Sequence, residues 1–207
     1  MASITAAIPR PTSYTTGIWS WLTTVDHKRI GILYGVTAFI MFLIGGVEAL
    51  LMRTQLATAE QDIVSPEVFN QLFTMHGTIM IFFAIMPLLV GLFGNLLIPL
   101  QIGAEDMAFP RLNMASFWLA VPAGMLMLAS FAVEGGAAGA GWTSYAPLST
   151  SGEWTGVYLG QQLWLVSLTI LGFSSLIGAV NYITTVINMR APGMTWFRIP
   201  LATWSLF

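Results

Sequence analysis

The chain contains no cysteine, which excludes disulfides, thiolate metal sites and cysteine nucleophiles and leaves the redox compartment open. Charge is scarce as well. Only 8% of the 207 residues are Asp, Glu, Lys or Arg, against about 25% in a soluble domain. The net charge is −2, with no basic run, so nothing marks a nucleic-acid partner. The two histidines, His27 and His76, are too few and too far apart for a self-contained metal cage. The N-terminal stretch MASITAAIPRPTSYTTG lacks the apolar core of a cleaved signal peptide. No internal repeat or low-complexity segment is present.

Apolar residues make up 56% of the chain, and the mean hydropathy is +0.77. These values predict a polytopic membrane protein. Backbone amides in lipid must bond to one another, so the fold class is all-α, a bundle of transmembrane helices. A polar arm, residues 1–29, carries Trp19 and Trp21 as interfacial anchors, and the remainder, 30–207, forms one membrane domain. Complete spans are expected over about 30–52, 70–100, 114–133 and 157–188, the second able to kink at Pro87. The connection EGGAAGAGWTSYAPLSTSGEWTG is too rich in Gly and Pro for a continuous helix. A fifth apolar run starts at Pro200 and reaches Phe207, short of the roughly twenty residues needed to cross, so the sequence reads as truncated.

The basic residues set the orientation. The arm and the loops after the second and fourth spans hold Arg10, Lys28, Arg29, Arg111, Arg190 and Arg198; only Arg53 falls on the other side. The positive-inside rule then makes the N-terminus cytoplasmic. His76 falls in the outer part of the membrane, at a depth similar to Arg53 and Glu48, and Asp106 at the cytoplasmic mouth.

A histidine within an apolar span requires a partner. His76 has small and aromatic neighbours, Gly77, Thr78, Phe82 and Phe83. It suits an axial haem ligand or a hydrogen bond to a neighbouring helix. Arg53 suits a haem substituent or a helix-end cation reaching the interface. Asp106 is followed inward by Asn95, Asn113, Ser116, Tyr34, Ser174 and Ser175. Such a series could order water into a proton path. Equally, Asp106 could be a solvated loop acid and Asn113 a helix cap.

The segments DHKRIG, MHGTIMIFFAIMP, GNLLIPLQIGAEDMAFPRLN, SFW, GWTSYAPL and SSLIGAVNYITTVINMR resemble subunit I of the haem–copper oxygen reductases, the A-type cytochrome oxidases and their quinol-oxidase relatives. The resemblance runs in order from about residue 24 to the end. It implies that His76 is one axial ligand of the low-spin haem a, and that Arg53 bonds the haem formyl group. Trp142 matches a tryptophan near that haem. Asp106 matches the acid at the mouth of the D proton pathway, with Asn95 and Asn113 its asparagines. Tyr34, Ser116, Ser174 and Ser175 match polar positions further along, and His27 a histidine at the mouth. The second haem ligand, the high-spin haem, the copper histidines, the cross-linked tyrosine and the inner glutamate would all lie beyond residue 207.

The implied activity is reduction of oxygen to water with proton pumping, in a respiratory complex of the bacterial cytoplasmic membrane. Subunits II and III and membrane lipid are the implied partners, with cytochrome c as donor through subunit II. Two departures bear on this. Gln55 stands where many cytochrome oxidases bind a structural calcium or sodium with a glutamate. Glu48 and Gln71 match two quinol-site positions of the quinol oxidases, while Ile44 and Val68 replace the arginine and histidine, which favours cytochrome c over quinol. The competing readings are a non-catalytic fragment of the complex and a transporter using Asp106 as its proton site.

Overall fold

The computed structural model describes residues 17–60, 62–151 and 159–207. Among them every regular element is helical. A short α1, Ile18–Leu22, precedes α2, His27–Gln55. The third helix, α3, runs over Pro66–Ile102, α4 over Pro110–Ala132 with a 3-10 last turn, and α5 over Leu159–Asn188. A 3-10 turn, Trp196–Arg198, leads to α6, Leu201–Leu206. Four helices, α2 to α5, are long and apolar enough to cross a membrane, and the fifth apolar run opens as α6. The 29 residues of α2 extend roughly 43 Å at 1.5 Å per residue, beyond the ~30 Å hydrocarbon layer.

The helices begin where side chains satisfy their first amides. The carboxylate of Asp26 accepts from the amides of Lys28 and Arg29 at 2.9 and 3.3 Å, so α2 starts at His27, earlier than expected. Ser65 caps α3 by accepting from the Val68 amide, and Pro66 fits the first turn. The expected kink at Pro87 takes another form. The helix widens to π geometry over Ile79–Ile85 and again over Pro87–Gly94. Proline has no N–H for an i→i−4 bond and its ring crowds that carbonyl, and a wider turn accommodates both.

The register between α2 and α3 is fixed by glycines. A Cβ at Gly31 would meet Asn95 Cβ at 3.2 Å, one at Gly35 would meet Leu92 Cδ2 at 3.1 Å, and one at Gly45 would meet Met80 Sδ at 2.8 Å. The two helices are therefore antiparallel and close, as small residues permit in lipid, where apolar burial gives no net drive to associate. Large apolar side chains such as Phe39, Leu50, Leu165 and Phe173 remain exposed on the outside.

Helices α3, α4 and α5 share a core of Met75, Ile79, Phe83, Ala123, Met127, Trp164 and Leu171. Hydroxyls cross between them: Ser167 Oγ donates to Ala123 O at 2.6 Å, and Trp164 Nε1 donates to Thr78 Oγ1 at 2.9 Å. The chain segments around α1, the α3–α4 loop and the α5–α6 connection gather at one end of the bundle. There Ala191 N donates to Ile102 O at 2.8 Å, Trp118 Nε1 to Leu22 O at 3.0 Å, and Thr203 Oγ1 to Gln101 Oε1 at 2.7 Å. Arg10, in the expected arm, lies outside the described residues.

Candidate functional site

His76 stands in α3 just before the helix widens. Its Nδ1 lies 2.8 Å from Gly45 O on α2. A carbonyl oxygen only accepts, so Nδ1 carries the proton, and in the neutral ring Nε2 keeps a free lone pair. Metal-bound imidazoles are commonly held this way, by the N–H opposite the metal. The hydrogen bond to a neighbouring helix and the ligand role are therefore compatible, one on each ring nitrogen. The residues present fit a single axial haem ligand. Among the described residues no three metal-binding side chains gather in one place.

Trp142 reaches this region from the Gly-rich connection. A Cβ at Gly77 would lie 3.0 Å from Trp142 Cδ1, so the indole packs directly on the residue after His76. Its ring is 6.2 Å from that of Phe82. Gln71 and Thr74, both buried on α3, hold the connection in place. Gln71 Nε2 donates to Gly135 O at 2.8 Å, and its Oε1 accepts from Ala137 N at 3.1 Å. Thr74 Oγ1 accepts from Gly141 N at 2.9 Å.

Arg53 lies exposed in the last turn of α2. On α2, Glu48 lies one turn beyond Gly45 and Arg53 two turns beyond it. Glu48 is buried, and neither carboxyl oxygen has a partner among the described residues. Gln55, at the expected ion position, uses its Oε1 to accept from the amides of Ile63 and Val64 at 2.9 and 3.0 Å, closing the α2–α3 loop.

At the other end of the bundle, Asp106 sits half-buried in the α3–α4 loop, its Oδ1 accepting from Met107 N at 2.7 Å. The loop is fastened to α5. Ala108 N donates to Thr185 Oγ1 at 2.9 Å and Phe109 N to Asn181 Oδ1 at 2.8 Å. Behind it, Asn113 Nδ2 donates to Asn95 Oδ1 at 2.6 Å. Both amides are buried. His27 Nδ1 donates to the backbone oxygen of Asn95 at 2.6 Å.

Further in, Ser116 Oγ donates to Ser174 O at 2.8 Å and Ser174 Oγ donates to Ser116 O at 2.7 Å. The single hydroxyl hydrogen of Ser116 is thus used, and Tyr34 donates to Ser116 Oγ at 2.8 Å. These groups and Ser175 line a cleft of about 280 Å³ between α2, α3, α4 and α5. It is large enough for several waters, and a few hydroxyls set in a mostly apolar wall offer them partners.

The family model described as "Cytochrome C and Quinol oxidase polypeptide I" matches residues 29–207. The chain belongs to this family. It is 51% identical over 192 residues to cytochrome c oxidase subunit 1 of Thermostichus vulcanus, an alignment covering 91% of this chain and 34% of that protein. It is 53% identical over 183 residues to the same subunit of Synechocystis sp., covering 88% and 32%. With that of Corynebacterium efficiens the identity is 46% over 202 residues, covering 96% and 34%. The chain thus spans about a third of the length of the curated relatives it matches.

In this oxidase-family segment two buried side chains near the Asp106 loop escape a sequence reading. Asn181 has Oδ1 on the Asp106 loop, while its Nδ2 has no partner among the described residues. It joins Asn95 and Asn113 as a third buried amide. Its only signal in sequence is that it is one of several polar residues within a membrane-length span. Tyr182 adjoins it and bonds Asn95, yet in sequence an aromatic in a membrane helix reads as packing.

Proposed function

We propose that this chain is the N-terminal part of the catalytic subunit of a cytochrome c oxidase, reducing oxygen to water and pumping protons. In this reading His76 Nε2 would ligate the iron of a low-spin haem a, and Trp142, packed on Gly77, would help form its pocket. Arg53 reaches a polar substituent on the outer edge of that haem. The haem supplies single-electron transfer. The chain's residues hold it, orient the ring through Gly45 O, and surround it with apolar side chains that raise its potential.

Protons enter from the cytoplasmic side past Asp106. The loop bonds to Asn181 and Thr185 hold this carboxylate at the mouth, and Asn113, Asn95, Tyr34, Ser116, Ser174 and Ser175 offer successive donors and acceptors to water. The N-terminal arm is cytoplasmic, the membrane is the bacterial cytoplasmic membrane, and subunits II and III complete the complex. The high-spin haem and copper belong to the part of the subunit that follows this segment. Cytochrome c is favoured over quinol as donor because Gln71, one of the two matching quinol-site positions, spends its amide on loop backbone.

The observation that carries the reading is the Nδ1–H of His76 bonded to Gly45 O, which leaves the ligating nitrogen free. The test is His76→Ala in the full-length subunit. The reduced low-spin haem band should disappear; a band of normal intensity and position would refute the ligand role.

A further inference from the structure

Tyr182 is buried on α5, and its hydroxyl is fully engaged. The hydroxyl hydrogen goes to Val90 O at 2.8 Å. Its oxygen must then accept from Asn95 Nδ2, at 2.9 Å. The other hydrogen of that NH2 group goes to Gly91 O at 2.7 Å. Both N–H bonds of Asn95 are therefore committed on the side away from Asn113, and its Oδ1 faces Asn113 Nδ2. Rotating the Asn95 carboxamide by half a turn would point its oxygen at the Gly91 carbonyl, turn its NH2 group on that of Asn113, and keep the phenol only if the hydroxyl left Val90 O to donate to it. Tyr182 also lines the cleft that holds Tyr34, Ser116, Ser174 and Ser175, so its hydroxyl stands where the asparagine pair meets that cleft. The titratable groups around the pair are His27 and Tyr34 on α2, Tyr182 on α5 and Asp106 in the loop.

We propose that Tyr182 is a positioning residue of the proton route. Its phenol helps hold the Asn95 carboxamide so that the carbonyl oxygen, and not the NH2 group, meets Asn113 between the Asp106 loop and the cleft. The proposal rests on the reading of Asp106, Asn95 and Asn113 as a proton path. Without the phenol, the NH2 group of Asn95 keeps only Gly91 O as a partner, and the amide pair samples orientations that interrupt the water chain. Gly94 shares in the arrangement, since a Cβ there would lie 3.2 Å from Tyr182 Cζ and 3.3 Å from its hydroxyl oxygen. A methyl at residue 94 would push the phenol aside without removing any polar group.

The test uses the full-length enzyme in its complex. Tyr182→Phe should leave the haem spectrum unchanged and slow turnover by about three- to tenfold, the range given by loss of one buried hydrogen bond. The slowing should grow with pH, because proton supply then limits the rate, so the alkaline limb of the turnover profile moves to lower pH. Gly94→Ala should move it the same way by a smaller amount, and it carries the test alone if Tyr182→Phe does not assemble. A wild-type pH profile in the assembled variants overturns the proposal. Asp106→Asn is measured alongside. If it slows turnover while Tyr182→Phe and Gly94→Ala do not, the phenol has no positioning role and the proton path stands. If Asp106→Asn turns over normally, the path reading itself fails and this proposal with it.

Discussion

Gln71 offers the sharpest test of how the region around His76 is assembled. Its carboxamide is buried and makes two bonds to the Gly-rich connection, to Gly135 O and from Ala137 N. Gly136 between them has φ +82°, and a Cβ there would collide with that carboxamide, so the connection is moulded to this one side chain. Gln71→Leu keeps most of the volume and removes both bonds. It strands the buried Ala137 amide, which has no other partner among the described residues, at about 1–3 kcal/mol, while the exposed Gly135 carbonyl can turn to water. This cost should fall on local opening of the connection rather than on the helices, which retain their own backbone bonds. Even the lower figure raises the open population about fivefold.

Limited proteolysis reads that population when opening and reclosing are fast relative to cleavage. Cleavage within residues 135–142 of the full-length, detergent-solubilised subunit should accelerate at least about fivefold in Gln71→Leu. Trp142, carried by the same segment, should lose its contact with Gly77, seen as a shift of its fluorescence. Gln71→Glu should lie between, since an oxygen can still accept from Ala137 N while the other faces Gly135 O. Unchanged cleavage in Gln71→Leu would refute the reasoning and show that Thr74 or packing alone holds the connection.

Two further predictions concern the ends of the site. Asp106→Asn keeps the shape of the loop and removes the titratable group; turnover of the intact enzyme should fall at least tenfold, about 1.4 kcal/mol in barrier, with an unchanged haem spectrum. Wild-type turnover and pumping would make Asp106 a solvated loop acid. Arg53→Met should move the low-spin haem band to the blue and lower its potential while leaving the haem bound, as spectroelectrochemistry would record. An unmoved band would make Arg53 an interfacial anchor only.

The spans were legible because a membrane imposes a length and a hydropathy on any crossing helix, and both are linear properties of sequence. Hence α2 to α5 appear where expected, within a few residues, and the Gly-rich stretch after α4 interrupts them. The family motifs carried the identity of the fold and named His76, Asp106 and their companions. Pro87 announced a disturbance in α3, but only the packed helix showed that it widens into π turns.

Tertiary structure alone decided which groups meet. Helices that are apolar on all sides offer no amphipathic stripe from which to read a facing partner, and a one-residue change of register would redirect every polar side chain. The register of α2 on α3 comes from close approaches at Gly31, Gly35 and Gly45, and it is this that pairs His76 with Gly45 O. The same holds for Tyr182 and Asn95, 87 residues apart in sequence. Their bond exists because Gly94 leaves the phenol room to lie on α3, and an aromatic residue read by itself gives no sign of the amide it will hold.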